Sequence, residues 1–212
     1  MTRGEKIWKT KWFLIMIAYF AVGYLSINWI ASHRTSFLDV SISFDGGIPF
    51  IPIFVLGYAF AYIGMILAYL VVDNTQDWQR AIISYFIATS LCYAFFLILP
   101  VRMEMRPDLM GSHGTMMFLT KLFYYIDMPY NCFPSLHVTC PTLATLIVWK
   151  NHPRIRYAML AMALIVAVSV IFVKQHYIAD VIAGFITAAL SYWIAVIAEK
   201  YWSRWFCKST NN

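Results

Sequence analysis

The segment Lys174–Gly184, KQHYIADVIAG, sets three ionisable side chains, Lys174, His176 and Asp180, against a long apolar run. His176 and Asp180 are four residues apart, so they would share one face of a helix. A carboxylate beside an imidazole fixes its tautomer and stabilises the imidazolium. Such a pair can be a buried packing contact, but ionisable groups at membrane depth carry a presumption of function. We therefore take both residues as catalytic candidates.

A second polar stretch, NCFPSLHVT, covers Asn131–Thr139. Pro134 is typical of a helix start and places Ser135, Leu136 and His137 in the first turn, where backbone N–H groups lack partners. Such a helix end attracts anions, phosphate above all. The Ser135 hydroxyl and the His137 imidazole would add donors. The alternative interpretation is a capped helix start with a histidine at the lipid interface.

A third stretch, RMEMRPDL, covers Arg102–Leu109. Arg106 offers a planar fork of donors that suits phosphate, and Arg102 is a possible second cation. Each of these arginines, and Lys174 as well, could instead extend toward lipid headgroups from the interface.

If the three stretches meet, they form a phosphate-handling site. One histidine can attack phosphorus while the other protonates the leaving oxygen. Cations and N–H groups would stabilise charge on the equatorial oxygens. The sequence contains no carboxylate cluster of the kind that binds Mg²⁺, so we expect metal-independent catalysis without a cofactor.

The composition identifies the elements that must position these residues. Of the 212 residues, 61% are hydrophobic and only 12% are charged, whereas soluble domains are about 25% charged. Several apolar runs approach the ~20 residues that cross a bilayer. The net charge of +6 lies mostly in loops between these runs, which indicates membrane orientation rather than nucleic-acid binding. We predict a polytopic membrane protein with a single domain over residues 1–212.

Six spans are predicted, all of them helices, because lipid cannot satisfy free backbone groups. Their approximate bounds are Trp12–Ile30, Ile48–Val72, Ala81–Leu99, Pro134–Trp149, Ile155–Val173 and Tyr177–Ala198. Between the third and fourth spans, the apolar segment His113–Ile126 is too short to cross. We favour a helix in the headgroup region, with a lid over the bundle as the alternative.

The basic residues predict the orientation of the bundle. With six spans both termini share a side, and the three polar stretches meet at the opposite side. Eleven basic residues fall on the side of the termini: Arg3, Lys6, Lys9, Lys11, Arg80, Lys150, Arg154, Arg156, Lys200, Arg204 and Lys208. Five fall opposite: Arg34, Arg102, Arg106, Lys121 and Lys174. The positive-inside rule therefore places both termini in the cytoplasm and the polar site outside it.

The three stretches together resemble the motifs of the membrane type-2 phosphatidic acid phosphatases (PAP2), which share a fold with vanadium haloperoxidases. That family carries a basic residue before Arg-Pro, then Pro-Ser-Gly-His, then Ser-Arg followed at fixed spacing by His and Asp. The corresponding segments here are RMEMRP, PSLH and KQHYIAD, within about residues 102–184. The resemblance implies an all-α, six-helix membrane bundle.

Carried onto this sequence, the resemblance implies a role for each motif residue. His176 would be the nucleophile that forms a phosphohistidine, and Asp180 would orient and polarise it. His137 would be the general acid that protonates the leaving lipid alcohol. Arg106 and Ser135 would hold phosphate oxygens.

The sequence departs from the family pattern at three places. Leu136 replaces the motif glycine, and Val170 replaces an arginine, for which Lys174 is close enough to substitute. The basic residue expected at Leu99 is missing, which leaves Arg102 as its stand-in. The segments FPSLH and HY…D are more similar to the branch that contains the inositol phosphorylceramide synthases. Sphingomyelin synthases share a related arrangement.

Three functions follow as hypotheses. The first is an extracytoplasmic lipid phosphatase acting on phosphatidate, phosphatidylglycerol phosphate or a polyprenyl pyrophosphate. The second is a lipid phosphotransferase that passes a phosphoryl-headgroup to a lipid acceptor with the same residues. The third is a transporter or structural membrane protein, against which stands the clustering of charges near one interface rather than at the midplane.

Overall fold

The computed structural model describes residues 1–206 and the side chains of residues 1–199. The side chains of Lys200 and Arg204, and all of Lys208, which entered the charge count, lie outside this part. The described chain is helical without a strand. Its helices are α1 (Arg3–Ser32), α2 (Ser43–Gly47), α3 (Val55–Ala59), α4 (Gly64–Val71), α5 (Thr75–Ile98), α6 (Thr115–Ile126), α7 (Leu136–Val148), α8 (Arg156–Phe172) and α9 (Ile178–Phe206).

The helices account for all six predicted apolar segments, and the prediction of an all-helical polytopic membrane protein is confirmed. Three helices, α1, α5 and α9, are long and apolar enough to cross a bilayer by themselves. The shorter apolar helices α7 and α8 have 13 and 17 residues. At a rise of ~1.5 Å per residue, α7 is about 20 Å long, which is less than the ~30 Å hydrocarbon core.

The second predicted span is a broken helix rather than a continuous one. It runs as a 3₁₀ turn at Pro52–Phe54, then α3, then a second 3₁₀ turn at Phe60–Tyr62, then α4, with a bend of 40° at the break. Gly64 stands at this bend, where a Cβ would lie 3.2 Å from the Pro141 backbone of α7. A glycine at a close helix contact is a common cause of such kinks.

The core is formed where α7 packs against α4, α5, α8 and α9, and α5 also packs against α1 and α9. Large side chains such as Trp78, Tyr85 and Phe96 are fully buried between these helices. Apolar side chains on the outer faces, among them Val22 and Ile186, are not covered by protein. That pattern of a packed interior and an apolar exterior is the one expected of a bundle in lipid.

The two ends of the bundle carry separate polar clusters. At the end that holds the start of α1, Arg80 pairs with Asp77 and Glu199, and Asn151 donates to Asp77. The predicted site residues lie at the other end, where α5 finishes and α7 and α9 begin. The alternation of the helices therefore brings the three motif stretches to one end.

The segment between α5 and α7 contains the predicted extra helix, α6. Its inner face packs against the cluster around Val55 and Tyr58 through Met116, Leu119 and Phe123, while Phe118, Leu122 and Tyr125 are exposed. The helix thus covers the broken span with one apolar face and leaves another free, which suits the proposed position in the headgroup region.

Candidate active site

His176 and Asp180 form a hydrogen-bonded pair at the start of α9. The predicted sixth span begins at Tyr177, and α9 begins at Ile178, so Asp180 lies in the first turn of the helix and His176 precedes it. The reason is that α8 ends in a turn in which Gln175 and His176 both donate their N–H groups to the Val170 carbonyl. Asp180 still reaches back: its Oδ2 lies 3.2 Å from His176 Nδ1 and accepts the Tyr177 N–H at 2.9 Å.

The second histidine is placed by the start of α7. Pro134 lies before the helix, and Ser135 is its N-cap, whose Oγ accepts the Val138 N–H at 3.3 Å. The Ser135 N–H donates in turn to the Asp180 carbonyl at 3.1 Å, which joins the starts of α7 and α9. This crossing is close because Gly184 has no side chain: a Cβ there would meet the Ser135 carbonyl oxygen at 2.8 Å.

The two imidazoles are in direct contact across this crossing. His137 Nδ1 lies 3.1 Å from His176 Nε2, although 39 residues separate them in the sequence. His176 is buried, as are Asp180 and Ser135. Leu136, the residue that replaces the motif glycine, is also buried and packs in the main core cluster.

A carboxylate that the sequence analysis did not single out, Asp127, faces the far side of His137. Its Oδ2 lies 3.2 Å from His137 Nε2. Asp127 also accepts hydrogen bonds from the hydroxyl groups of Tyr24 and Tyr58 and from the Gln175 amide. Burial alone would raise the pKa of Asp127, but positive charge at His137 and the two tyrosine hydrogen bonds outweigh burial and hold this pKa below its usual value.

Tyr58 connects Asp127 to His137 directly. Its hydroxyl donates to Asp127 Oδ2 at 2.6 Å and lies 3.0 Å from His137 Nε2. The hydroxyl of Tyr62 lies 3.1 Å from that of Tyr58 and extends the chain of polar groups toward the broken span.

Arg106 lies beside this network, held by several acceptors. Its Nη2 donates to the Asp127 carbonyl at 2.7 Å and to Gln175 Oε1 at 2.5 Å, and its guanidinium stacks on the Tyr124 ring at 4.3 Å. Arg106 Nε is buried and has no hydrogen-bond partner among the described residues. The fork is therefore oriented and retains a free donor.

The other two predicted cations have different partners. Arg102 pairs with the exposed Glu104, with N–O distances of 2.6 Å, and its guanidinium lies over the Phe37 ring. The Lys174 Nζ donates to the Asp45 carbonyl at 2.9 Å. Burial lowers the pKa of Lys174, partly offset by the charge of Asp45. The contact with Phe37 joins Arg102 to the segment after α1, and the contact with Asp45 joins Lys174 to α2.

Four residues of the site, Asp127, Gln175, Tyr24 and Tyr58, were not identified from the sequence, and they differ in how far their sequence positions indicate a function. Asp127 ends an apolar segment, and an acidic residue at membrane depth is a functional candidate by that position alone. Gln175 stands inside the quoted KQHYIAD segment. Tyr24 and Tyr58 lie within apolar runs, where an aromatic residue is unremarkable, so no local pattern distinguishes them.

Cys132, His176 and Asp180 are buried together, with potential ligand atoms within 4.8 Å of one another. Burial raises the pKa of the Cys132 thiol well above its usual value, and the thiol donates to the Pro129 carbonyl at 3.3 Å. Because metal binding requires the thiolate, these contacts favour a hydrogen-bonding role for the thiol.

This arrangement is suited to nucleophilic and acid–base chemistry on a single centre. One imidazole, backed by Asp180, presents Nε2, and the other, backed by Asp127, presents Nδ1 to the same point. With the rings parted beyond their 3.1 Å contact by a bound electrophile, one nitrogen could attack it while the other protonates its leaving atom.

Comparison with known proteins gives one family. A family model described as the PAP2 superfamily matches residues 49–194, which is more than half of the chain and includes both histidines, Arg106 and both carboxylates. No curated protein and no solved structure matches the chain.

Proposed function

This chain belongs to the PAP2 superfamily, and we propose that it is an integral-membrane lipid phosphatase whose site opens on the extracytoplasmic side. Membership supports phosphoryl-transfer chemistry in general. The observation that carries the proposal is the 3.1 Å contact between His137 Nδ1 and His176 Nε2, with a carboxylate behind each ring.

In the first step, the lone pair of His176 Nε2 attacks phosphorus and forms a nitrogen–phosphorus bond. The phosphorus–oxygen bond to the lipid breaks, and the departing oxygen takes a proton from His137 Nδ1. Asp180, at 3.2 Å from His176 Nδ1, stabilises the positive charge that the attacking ring acquires.

In the second step, His137 Nδ1, now without its proton, accepts one from water. The water oxygen bonds to phosphorus while the bond to His176 Nε2 breaks, which releases inorganic phosphate and restores both rings. The transferred group is trapped as a phosphohistidine between the two steps.

The equatorial oxygens of the phosphoryl group need donors throughout. Arg106, with its free Nε–H, is the first of these, and the N–H groups at the start of α7 beside Ser135 are the second. No step in this scheme uses a metal ion, and we propose metal-independent catalysis.

A cavity beside His137 supports a lipid substrate. It has a volume of about 310 Å³ and lies between α1, the broken span, α6 and α7. Asp127 and His137 line it together with apolar side chains such as Phe20, Ala61 and Met65. Its α1 lining runs from Ile17 to Leu25, about 12 Å along the helix. We propose that a hydrocarbon chain of the substrate occupies it.

A second candidate function is a lipid phosphotransferase of the inositol phosphorylceramide synthase type. The burial of His176 and Asp180 favours it, because a site that excludes water can pass the phosphoryl-headgroup to a lipid alcohol. Membership of the superfamily disfavours the remaining hypothesis, a transporter or structural protein.

The test is a panel of lipid phosphates offered to the purified protein with EDTA present. The panel contains phosphatidate, phosphatidylglycerol phosphate and a polyprenyl pyrophosphate, each with and without diacylglycerol or ceramide as acceptor. Release of inorganic phosphate supports the phosphatase, and a new phospholipid on thin-layer plates supports the transferase.

The matched control is His176→Ala, which should abolish either activity. Activity that survives this substitution, or that disappears with EDTA, contradicts the proposed mechanism.

A further inference from the structure

We infer that Asp127 is the positioning residue for His137, holding this ring as a proton donor in the way that Asp180 holds His176 as a nucleophile. The inference rests on the proposed function and adds a residue to it. None of the three motif stretches contains Asp127. This residue lies ten positions before His137, between α6 and α7.

The first step concerns the proton on His137 Nε2. This nitrogen faces Asp127 Oδ2 at 3.2 Å and the Tyr58 oxygen at 3.0 Å. The carboxylate only accepts, and the Tyr58 hydroxyl donates its hydrogen to Asp127 Oδ2 at 2.6 Å. Nε2 therefore meets two acceptors and must carry hydrogen.

The second step concerns His176. Its Nδ1 faces Asp180 Oδ2 at 3.2 Å, and a carboxylate again only accepts, so Nδ1 carries hydrogen. The outer nitrogen of each ring is thus protonated, and the two inner nitrogens, 3.1 Å apart, face each other.

The third step counts protons. Two inner nitrogens without hydrogen would oppose their lone pairs, so the proposed acid requires a third proton between them. Three protons on four nitrogens give the pair one positive charge, and Asp127 and Asp180 balance it from opposite sides. When the third proton is on His137 Nδ1, His176 Nε2 accepts it in a hydrogen bond, and a substrate that parts the rings frees this lone pair for attack with the acid already in place.

Burial and several hydrogen bonds hold the Asp127 side chain in one position. It is only 3% exposed, and donors from α1, α3 and the turn before α9 reach it through Tyr24, Tyr58 and Gln175. Its backbone carbonyl also accepts from Arg106 at 2.7 Å. The same residue thereby orients the proposed acid and the proposed phosphate-binding arginine.

The test compares leaving groups. Dioctanoyl phosphatidate releases an alkoxide that needs a proton, whereas 4-nitrophenyl phosphate releases a phenolate that does not. Asp127→Asn should lower kcat/KM on phosphatidate by roughly 10²–10⁴-fold, the range of general-acid catalysis, and kcat/KM on the aryl ester by less than about 10-fold. The ratio kcat/KM is compared because it covers the departure of the leaving group and not the later hydrolysis of the phosphohistidine, which is the same for both substrates. Combined with His137→Ala, it should cause no further loss on phosphatidate.

Asp108→Asn is the matched control, because this exposed carboxylate in the same connection accepts only a local hydrogen bond from the Met110 N–H. It should leave both activities unchanged. Equal loss on both substrates in Asp127→Asn overturns the inference and leaves the proposed function intact, whereas activity that persists in His176→Ala overturns the proposed function itself.

A second measurement uses the wild-type protein and does not depend on how well the variant folds. Nitrogen-15 NMR of histidine-labelled protein in detergent, assigned by the loss of signals in His137→Ala, should show His137 Nε2 protonated at neutral pH. A His137 signal with a bare Nε2 contradicts the inference.

Discussion

His137 and His176 carry the same side chain but turn different nitrogens toward each other. His176 keeps Nδ1 on Asp180 and presents Nε2, whereas His137 keeps Nε2 on Asp127 and presents Nδ1. We propose that the two rings take different roles, nucleophile and acid, although their residue type is the same, because each presents a different nitrogen. Arg106 completes the site with a fork fixed by the Asp127 carbonyl and Gln175.

The first prediction separates the two candidate arginines. Arg106→Lys should lower kcat/KM on phosphatidate by roughly 10²-fold, because a lysine cannot reproduce the fork or the stacking on Tyr124. Arg102→Lys should change it by less than about 3-fold, since Arg102 pairs with exposed Glu104. Steady-state phosphate release measures both, and the reverse order of effects would assign the phosphate to Arg102.

At the level of elements, the crossing of α7 and α9 sets the distance between the imidazoles. The contact depends on Gly184, which lets α9 approach the Ser135 carbonyl, and on the hydrogen bond from the Ser135 N–H to the Asp180 carbonyl. Both helices begin at this crossing, so a small shift of either helix moves one histidine relative to the other.

The second prediction tests this crossing. Gly184→Ala places a Cβ 2.8 Å from a backbone oxygen that cannot move alone, so it should cost about 1–3 kcal/mol of stability and lower activity by at least about 10-fold in the folded fraction. Thermal unfolding in detergent and phosphate release measure the two effects. Gly46→Ala, where a Cβ would meet nothing within 4 Å, is the control. Wild-type activity in Gly184→Ala would show that the crossing has more freedom than the packing implies.

The third prediction concerns the cavity between α1 and the broken span. Ala21 lines it from α1 and is exposed, so Ala21→Trp should fill part of it without disturbing the core. We expect the preference of the enzyme to shift toward shorter acyl chains, with kcat/KM for dipalmitoyl phosphatidate falling about 10-fold relative to dioctanoyl phosphatidate.

Ala18→Trp is the matched control for this experiment. Ala18 is also exposed on α1 but does not line the cavity, so its chain-length preference should match that of the wild type. An unchanged preference in Ala21→Trp would place the hydrocarbon chain elsewhere.

For the molecule as a whole, the charged residues at the two ends of the bundle indicate on which side of the membrane the site lies. The end with Lys9, Arg80 and Glu199 holds the start of α1, and the other end holds the imidazoles. From the excess of basic residues at the first end we propose that it is cytoplasmic, so the site would face the outer leaflet.

The fourth prediction tests this orientation with single cysteines in a Cys207→Ser background, where the other three cysteines, Cys92, Cys132 and Cys140, are buried. Met110→Cys, at a position 87% exposed on the side of the site, should react with a membrane-impermeant maleimide in intact cells. Pro153→Cys, exposed in the α7–α8 connection, should react only after permeabilisation. The opposite pattern would invert the proposed orientation.

The sequence by itself determined that the protein is a membrane protein and where its helical segments lie. It also identified His137, His176 and Asp180 as candidate site residues. These depend on local properties: apolar runs of sufficient length, and polar residues at fixed short spacings inside them. It also predicted that the motif stretches lie at one end of the bundle. Each successive span reverses direction, so the number of spans between two segments tells whether they lie on the same side.

Only the tertiary structure decided which groups complete the site. Tyr24 in α1 and Tyr58 in α3 both donate to Asp127, which lies between α6 and α7 and faces His137. This contact set depends on how α1, the broken span and the start of α7 pack. The break at Gly64 was likewise not apparent, because an apolar run looks the same whether its helix is straight or bent. Contacts between residues that are far apart in the sequence depend on how the helices pack, and helix packing produces no local sequence pattern from which these contacts could be predicted.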